Sequence, residues 1–297
     1  MPAADFDRIG LVVHPRRELG DALATVRAWA ERRHAELVQV ASPGQGQQVA
    51  PRGDAAGCDL VIALGGDGTA LAALHAAAPG ETPVLGVACG SLGALTAVSA
   101  DRLEAALDRV AAGEWSARVL PALRVAGGGP DRMAVNDLVL VRAGAGQVML
   151  AVDLDGEPFI RFAGDGLICA TPLGSTAYTL AVGGPMLAPG TAGLVLTPLA
   201  PHGGAVTPLV TTPESRLDVL LDPGHSGARL EIDGRVAAEL APLHEVRLEL
   251  GWVEAYATLI SLGEQESIVA GLRRRRILLD SPRMLARDDR EAARTTP

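Results

Sequence analysis

In the first third of the chain the apolar residues fall in short, nearly unbroken runs. "RIGLVVH" (8–14), "AELVQV" (35–40), the stretch leading into "ALGGDGT" (63–69) and "PVLGV" (83–87) are such runs, the pattern of strands buried on both faces. Between them the apolar positions move to helical spacing, as at Leu23, Val26 and Trp29, along the small residues that follow Thr69, and over about 101–112. Strands alternating with helices predict a parallel sheet covered on both sides. A Gly/Gln/Pro-rich loop fills 42–57 and a Gly-rich turn 90–93.

After about residue 116 the rhythm becomes strand, turn, strand, as in "VMLAVDL-DG-EPFIRF" (148–162) and "ARLEI-DG-RVAAEL" (228–240). Asp-Gly between two such runs predicts a two-residue hairpin, because both central positions need positive φ. Asp155-Gly156 and Asp233-Gly234 are therefore read as turns, and this part of the chain as β-rich. "EQESIVAGLRRRRILL" (264–279) returns to a helical pattern, and the charged end from about 287 predicts a disordered tail.

Composition narrows the chemistry. A chain of 297 residues that is 48% hydrophobic can bury one or two cores. Its net charge of −9 argues against nucleic acid as a partner, and Arg273 to Arg276 read as a solvated helix end. No apolar stretch is long enough for a membrane span, and "MPAADFDRIG" lacks the order of a signal peptide, so a cytoplasmic location is expected. Cys58, Cys89 and Cys169 are too scattered for a metal or redox motif and read as core residues, and the histidines show no metal-ligand spacing. The chain contains no lysine, which removes Walker-A, protein-kinase and Schiff-base chemistry together.

"VIALGGDGTALAALH" (61–75) carries the first chemical signal: strand, glycine turn, helix start. Helix N-termini attract phosphate through unsatisfied N–H groups and the helix dipole. Gly65, Gly66 and Gly68 would let the backbone approach phosphate oxygens. Asp67 stands at the end of a parallel strand, where open α/β sheets place ligands, and can orient or deprotonate a hydroxyl; the plain alternative is a helix cap. His75, further along that helix, is a candidate donor-phosphate contact or else an ordinary surface histidine. Asn136, the chain's single asparagine, adjoins Asp137, and an amide beside a carboxylate can grip two ribose hydroxyls; a turn before a strand is the alternative. Ser175, Thr176 and Tyr178 offer hydroxyls near a helix start, and Tyr178 adds a flat surface for a base.

Five segments together resemble the NAD kinase family: "GGDGT" (65–69), "GSLGALT" (90–96), Asn136-Asp137, "DGLICATPLGSTAYTLAVGGP" (165–185) and "LTPLAPHGGAVTPLV" (196–210). The resemblance spans roughly 58–271. It implies phosphorylation of the 2′-hydroxyl on the adenosine ribose of NAD, with ATP or polyphosphate as donor, Mg²⁺ or another divalent cation, and homodimers or homotetramers. It also implies an N-terminal α/β domain with a Rossmann-like parallel sheet and a C-terminal domain of sandwich type. The expected boundaries are 1–115, with a helix at 264–286 returning to it, 116–263 for the acceptor domain, and a tail at 287–297. By the same resemblance Asp67 is the base, and Gly66, Gly68 and Thr69 lie near donor phosphates. Asn136 and Asp137 take the ribose, Asp165 the nicotinamide end, and Thr176, Ala177 and Tyr178 the adenine region.

Several positions depart from the family pattern. Asp137 stands for a usual glutamate, and Ser91 and Ala94 replace an amide and an aromatic ring. Leu173 and Ala181 replace hydroxyl residues, and Ala72 stands where a basic residue is common after "GGDGT". Losing a base stack alone costs ~1–3 kcal/mol. Two alternatives therefore stand beside NAD kinase: a relative that phosphorylates another hydroxyl, on a nucleoside, nucleotide fragment or sugar-like metabolite, and a non-catalytic nucleotide-binding regulator.

Overall fold

The fold was analysed in a computed structural model that describes residues 6–285 apart from 43, 45, 189, 204–205, 264–267 and 275. The expected tail at 287–297 lies outside the described residues.

The first part alternates as its apolar runs require: β1 (Arg8–Val13), α1 (Gly20–Arg32), β2 (Glu36–Val40), the short β3 (Arg52–Gly53), β4 (Leu60–Gly65), α2 (Asp67–Ala77), β5 (Val84–Ala88), the short β6 (Val98–Ser99) and α3 (Leu103–Ala111). The strands run parallel in the order β3-β2-β1-β4-β5. All six residues of β4 are buried, as expected of a central parallel strand. On one face the core joins Leu11 and Leu64 of the sheet to Val26 and Trp29 of α1 and Leu107 of α3. On the other face α2 presents Ala70, Ala73 and Leu74, small side chains that let it lie close to the sheet.

The second part holds β7 (Ser116–Ala126), β8 (Arg132–Ala134), β9 (Asp137–Arg142), β10 (Val148–Leu154), β11 (Glu157–Gly164), β12 (Gly166–Ala170), the one-turn α4 (Tyr178–Ala181), β13 (Val195–Leu199), β14 (Leu209–Val210), β15 (Leu217–Asp222), β16 (Ala228–Ile232), β17 (Arg235–Leu240) and β18 (Val246–Ser261), before α5 (Ile268–Arg274). Six of these strands form an antiparallel sheet, β14-β13-β12-β9-β16-β17. It packs on β7, β10, β15 and β18 through a core that includes Leu123, Leu140, Leu150, Cys169, Val219 and Leu248. This is a sandwich. Both Asp-Gly turns have positive φ at their two residues, 54° and 86° at Asp155-Gly156 and 50° and 74° at Asp233-Gly234.

One feature lies beyond the sequence pattern: the two parts share a sheet. The 16-residue β18 pairs with β15 through Leu217↔Leu250 and its neighbours, and near its end lies parallel to β5 at Leu259↔Val84. The chain then turns back, where Arg109 donates to the Leu262 carbonyl at 3.2 Å and Arg274 of α5 donates to the Leu92 carbonyl at 3.1 Å. The parallel strands and one sheet of the sandwich therefore form one continuous hydrogen-bonded ladder.

Candidate functional site

The site begins where β4 ends. Gly66 is extended (φ −142°, ψ −166°) and its carbonyl accepts from Thr69 and Ala70 N–H at 2.9 and 3.0 Å, so α2 starts abruptly beneath the glycine turn. Above it lies a cavity of about 300 Å³, lined by His14, Arg17, Gly66, Gly68, Thr69 and Arg235 among others. Ala72 lines it as well, with no charge to offer.

The Asp67 carboxylate is turned away from its own helix. Oδ2 accepts from Ala94 N–H at 2.9 Å and Oδ1 from Leu95 N–H at 3.0 Å. The capping alternative does not describe this residue, since Gly66 occupies the cap position and makes no side-chain cap bond. Gly93 leaves room for this arrangement, because a Cβ on it would push the Asp67 carboxylate from its seat. Two further bonds brace the loop: Gly93 N–H donates to Thr96 Oγ1 at 2.8 Å, and Arg118 donates to the Ala94 carbonyl at 3.2 Å. Burial pulls the Arg118 guanidinium below the usual arginine range, and the nearby Asp67 charge opposes that fall. Sequence reasoning missed Arg118, which lies 51 positions downstream of Asp67 in a strand with no motif.

Asn136 and Asp137 are held by the Asp233 turn. Oδ1 of Asp233 accepts from Asn136 and Asp137 N–H at 2.7 and 3.1 Å, and Oδ2 from Val135 N–H at 3.0 Å. Thr171 completes the knot by donating its hydroxyl to the Val135 carbonyl at 2.6 Å and its N–H to the Asn136 carbonyl at 2.9 Å. These bonds use the backbone of the segment, not the Asn136 amide. Gly174 packs directly on the Asn136 carbonyl, where no Cβ fits. Asp137 is buried beside Asp233 and Glu231; desolvation first, then those two charges, push its pKa up to about 7.

His75, a sequence candidate for the donor phosphates, lines the neighbouring cavity and is not among the residues lining the one above the glycine turn. Its Nε2 lies 2.6 Å from Asp233 Oδ2 and its Nδ1 2.9 Å from the Tyr256 hydroxyl, so both ring nitrogens are engaged. Burial and the Asp233 charge push Tyr256 up to about 12, which keeps its hydroxyl a donor. A carboxylate only accepts, so Nε2 donates to Asp233, and in a neutral ring Nδ1 is then the acceptor for the Tyr256 hydroxyl. His75 thus ties α2 to the second sheet. It lines a neighbouring cavity of about 320 Å³ with Leu71, Met133, Asp233 and Val236, and Gly68 and Arg235 border both cavities.

The remaining acceptor candidates divide. Leu173 and Ala94 belong to one apolar cluster with Leu71 and Val135, so both substituted positions face apolar surroundings. Ser175 and Thr176 donate their hydroxyls to the Pro172 and Leu173 carbonyls at 2.7 and 2.9 Å, while Ala177, Tyr178 and Ala181 are exposed. Asp165 is not brought to them. It lies at the opposite end of β12, six residues or roughly 20 Å along the strand from Thr171, paired with Arg142 Nε at 2.6 Å.

A glycine turn at the C-terminal end of a central parallel strand faces a β sandwich across a cleft with a carboxylate at the junction, a geometry suited to transferring phosphate to a hydroxyl. The ATP-NAD kinase N-terminal domain family matches residues 10–115 and the ATP-NAD kinase C-terminal domain family residues 135–259. An NAD kinase of Gemmatimonas aurantiaca is 36% identical over 209 residues, 64% of this chain and 72% of the relative. The chain belongs to the NAD kinase family. Two solved structures share the fold: yeast NADH kinase complexed with NADH (TM-score 0.78, 20% identity, 94% of this chain and 89% of that one) and an NAD kinase from Archaeoglobus fulgidus in complex with ATP (TM-score 0.67, 24% identity, 86% and 94%).

Proposed function

We propose that the protein transfers the terminal phosphate of ATP to the 2′-hydroxyl on the adenosine ribose of NAD, giving NADP, with Asp67 as the base that takes the hydroxyl proton. Family membership supports the reaction, and the orientation of Asp67 carries the assignment. Its carboxylate faces the 94–95 loop on the acceptor side, while Gly66, Gly68 and Thr69 face the cavity that would take donor phosphates. A ribose hydroxyl is a weak nucleophile at neutral pH, and a positioned carboxylate contributes ~10²–10⁴-fold. The charge of Asp67 therefore serves the acceptor, and the glycine backbone serves the donor.

Asn136 and Asp137, held rigid by Asp233 and Thr171, take the ribose hydroxyls in this reading, and the exposed Tyr178 with Thr176 and Ala177 takes the adenine. Among the described residues no three His, Cys, Asp or Glu side chains gather as a metal cage. Mg²⁺ is ordinarily held by substrate phosphates with few protein ligands, and in this reading it enters the cleft on the nucleotide's phosphates, leaving Asp67 to the acceptor. Bound with the nucleotide, the ion would neutralise phosphate charge. Asp165 lies too far along β12 to meet a dinucleotide held by Asn136 of its own chain. In this reading its contact with the nicotinamide end is made in the cleft of a second copy, within a homodimer or homotetramer. No helix among the described residues is long and apolar enough to cross a membrane, and we place the enzyme in the cytoplasm.

The test is direct. Purified protein with ATP, Mg²⁺ and NAD forms NADP, read with an NADP-specific dehydrogenase, and NAD outcompetes NADH and a panel of nucleosides. Phosphate transferred to a nucleoside and not to NAD would replace this acceptor assignment.

A further inference from the structure

We infer that Arg235, reaching across from the sandwich, supplies positive charge that binds the donor phosphates over the glycine turn. The inference rests on the phosphotransferase reading above and adds a residue that the sequence motifs do not mark.

The cavity over the glycine turn needs cationic charge, because a triphosphate brings several negative charges and backbone N–H groups offset only part of them. Position 72, on the second turn of α2 and facing this cavity, supplies none. With no lysine in the chain, arginine is the only strong cation available. Arg17 and Arg235 line the cavity. Arg17 donates Nη1 to the Cys89 carbonyl at 2.9 Å and keeps its other donors, so it is a second cation on the same cavity.

Arg235 is differently placed. Its guanidinium makes one long bond, Nη2 to the Gly68 carbonyl at 3.4 Å, and among the described residues no carboxylate pairs with it. A guanidinium carries five N–H donors, so most of its capacity remains for a ligand. The bond to Gly68 puts it at the centre of the glycine turn, on the divide between the two cavities. Its backbone is well fixed, because Arg235 follows directly on the Asp233-Gly234 turn. Asp233 in that turn is bonded to the amides of residues 135–137 and to His75 of α2. The same hairpin thus positions the acceptor segment and extends a cation over the donor. Donor phosphates bound here are gripped from both sides of the cleft.

The experiment is ATP binding by calorimetry, without acceptor, on wild type, R235Q and R235K, followed by steady-state kinetics with ATP and NAD varied separately. A charged hydrogen bond to phosphate corresponds to roughly a tenfold to hundredfold change in affinity. R235Q is expected to weaken ATP binding and raise the KM for ATP by that factor, with the KM for NAD within twofold of wild type and an unchanged melting temperature. R235K should recover part of the loss. Unchanged ATP affinity in R235Q, or ATP and NAD constants rising together, would overturn the inference. Because the binding measurement needs no acceptor, it decides the role of Arg235 even if NADP formation fails and the acceptor assignment falls.

Discussion

Replacing Asp67 by asparagine keeps the size of the side chain and removes its charge, and the structure allows both consequences to be weighed. Each carboxylate oxygen accepts one loop N–H, Oδ2 from Ala94 at 2.9 Å and Oδ1 from Leu95 at 3.0 Å. An asparagine keeps one acceptor and points an NH₂ group at the other N–H, so one charge-assisted bond is lost, worth ~1.5–3 kcal/mol. That cost falls on the 93–95 loop, which Thr96 and Arg118 also hold, so the fold should survive with a small drop in melting temperature. The catalytic loss is larger. A missing general base costs ~10²–10⁴ in rate, or about 3–5 kcal/mol of barrier. NADP formation by D67N should therefore show kcat reduced by at least a hundredfold while calorimetric ATP affinity stays near wild type. A second variant separates position from charge: in G93A the new Cβ would displace the carboxylate from its seat without removing it, and kcat should fall there too. A folded D67N with kcat within threefold of wild type would refute the assignment of Asp67 as base.

Two further predictions concern the knot behind the acceptor segment. Asp137, whose folded pKa of about 7 lies above its ordinary value, binds a proton more tightly in the folded state. Stability therefore decreases as pH rises from about 4 through about 7 and is flat above, by up to about 4 kcal/mol; D137N should lose this slope and exceed wild type at pH 8. Parallel pH–melting curves for the two proteins would remove that reasoning. D233A leaves the N–H groups of residues 135–137 and one His75 nitrogen without their acceptor, costing ~3 kcal/mol or more in a denaturant melt and raising the KM for NAD. The cost should be greatest at pH 5, because at pH 8 removing the Asp233 charge also relieves Asp137; an unchanged midpoint at pH 5 would contradict the bonding described.

Much of the architecture follows from patterns that span only a few residues. Unbroken apolar runs mark β1, β4 and β5 because a strand covered on both faces has no side on which a polar residue is free. The Asp-Gly pairs mark two hairpins because few other residues take positive φ at both turn positions. The same locality explains why the glycine turn and Asp67 are recognisable: strand, turn and helix start are consecutive. The sharing of one sheet through β18 is not local, since Leu259 and Val84 are 175 positions apart and nothing near either residue announces the other.

The division within the site has the same origin. From sequence alone Asp67, Asn136 and Asp137 stand out as chemistry-bearing residues, and Asp233 reads as a turn, which it is. Only the folded chain shows that the turn's carboxylate reaches 96 to 98 positions back to hold residues 135–137, that His75 is bonded to it, and that Arg235 crosses to Gly68. The amino-acid order determines which local conformations are cheap and which chemical groups exist. Which of those groups meet across the cleft is decided by strand register and packing, because hydrogen bonds and charges act over a few ångströms of space whatever their separation along the chain.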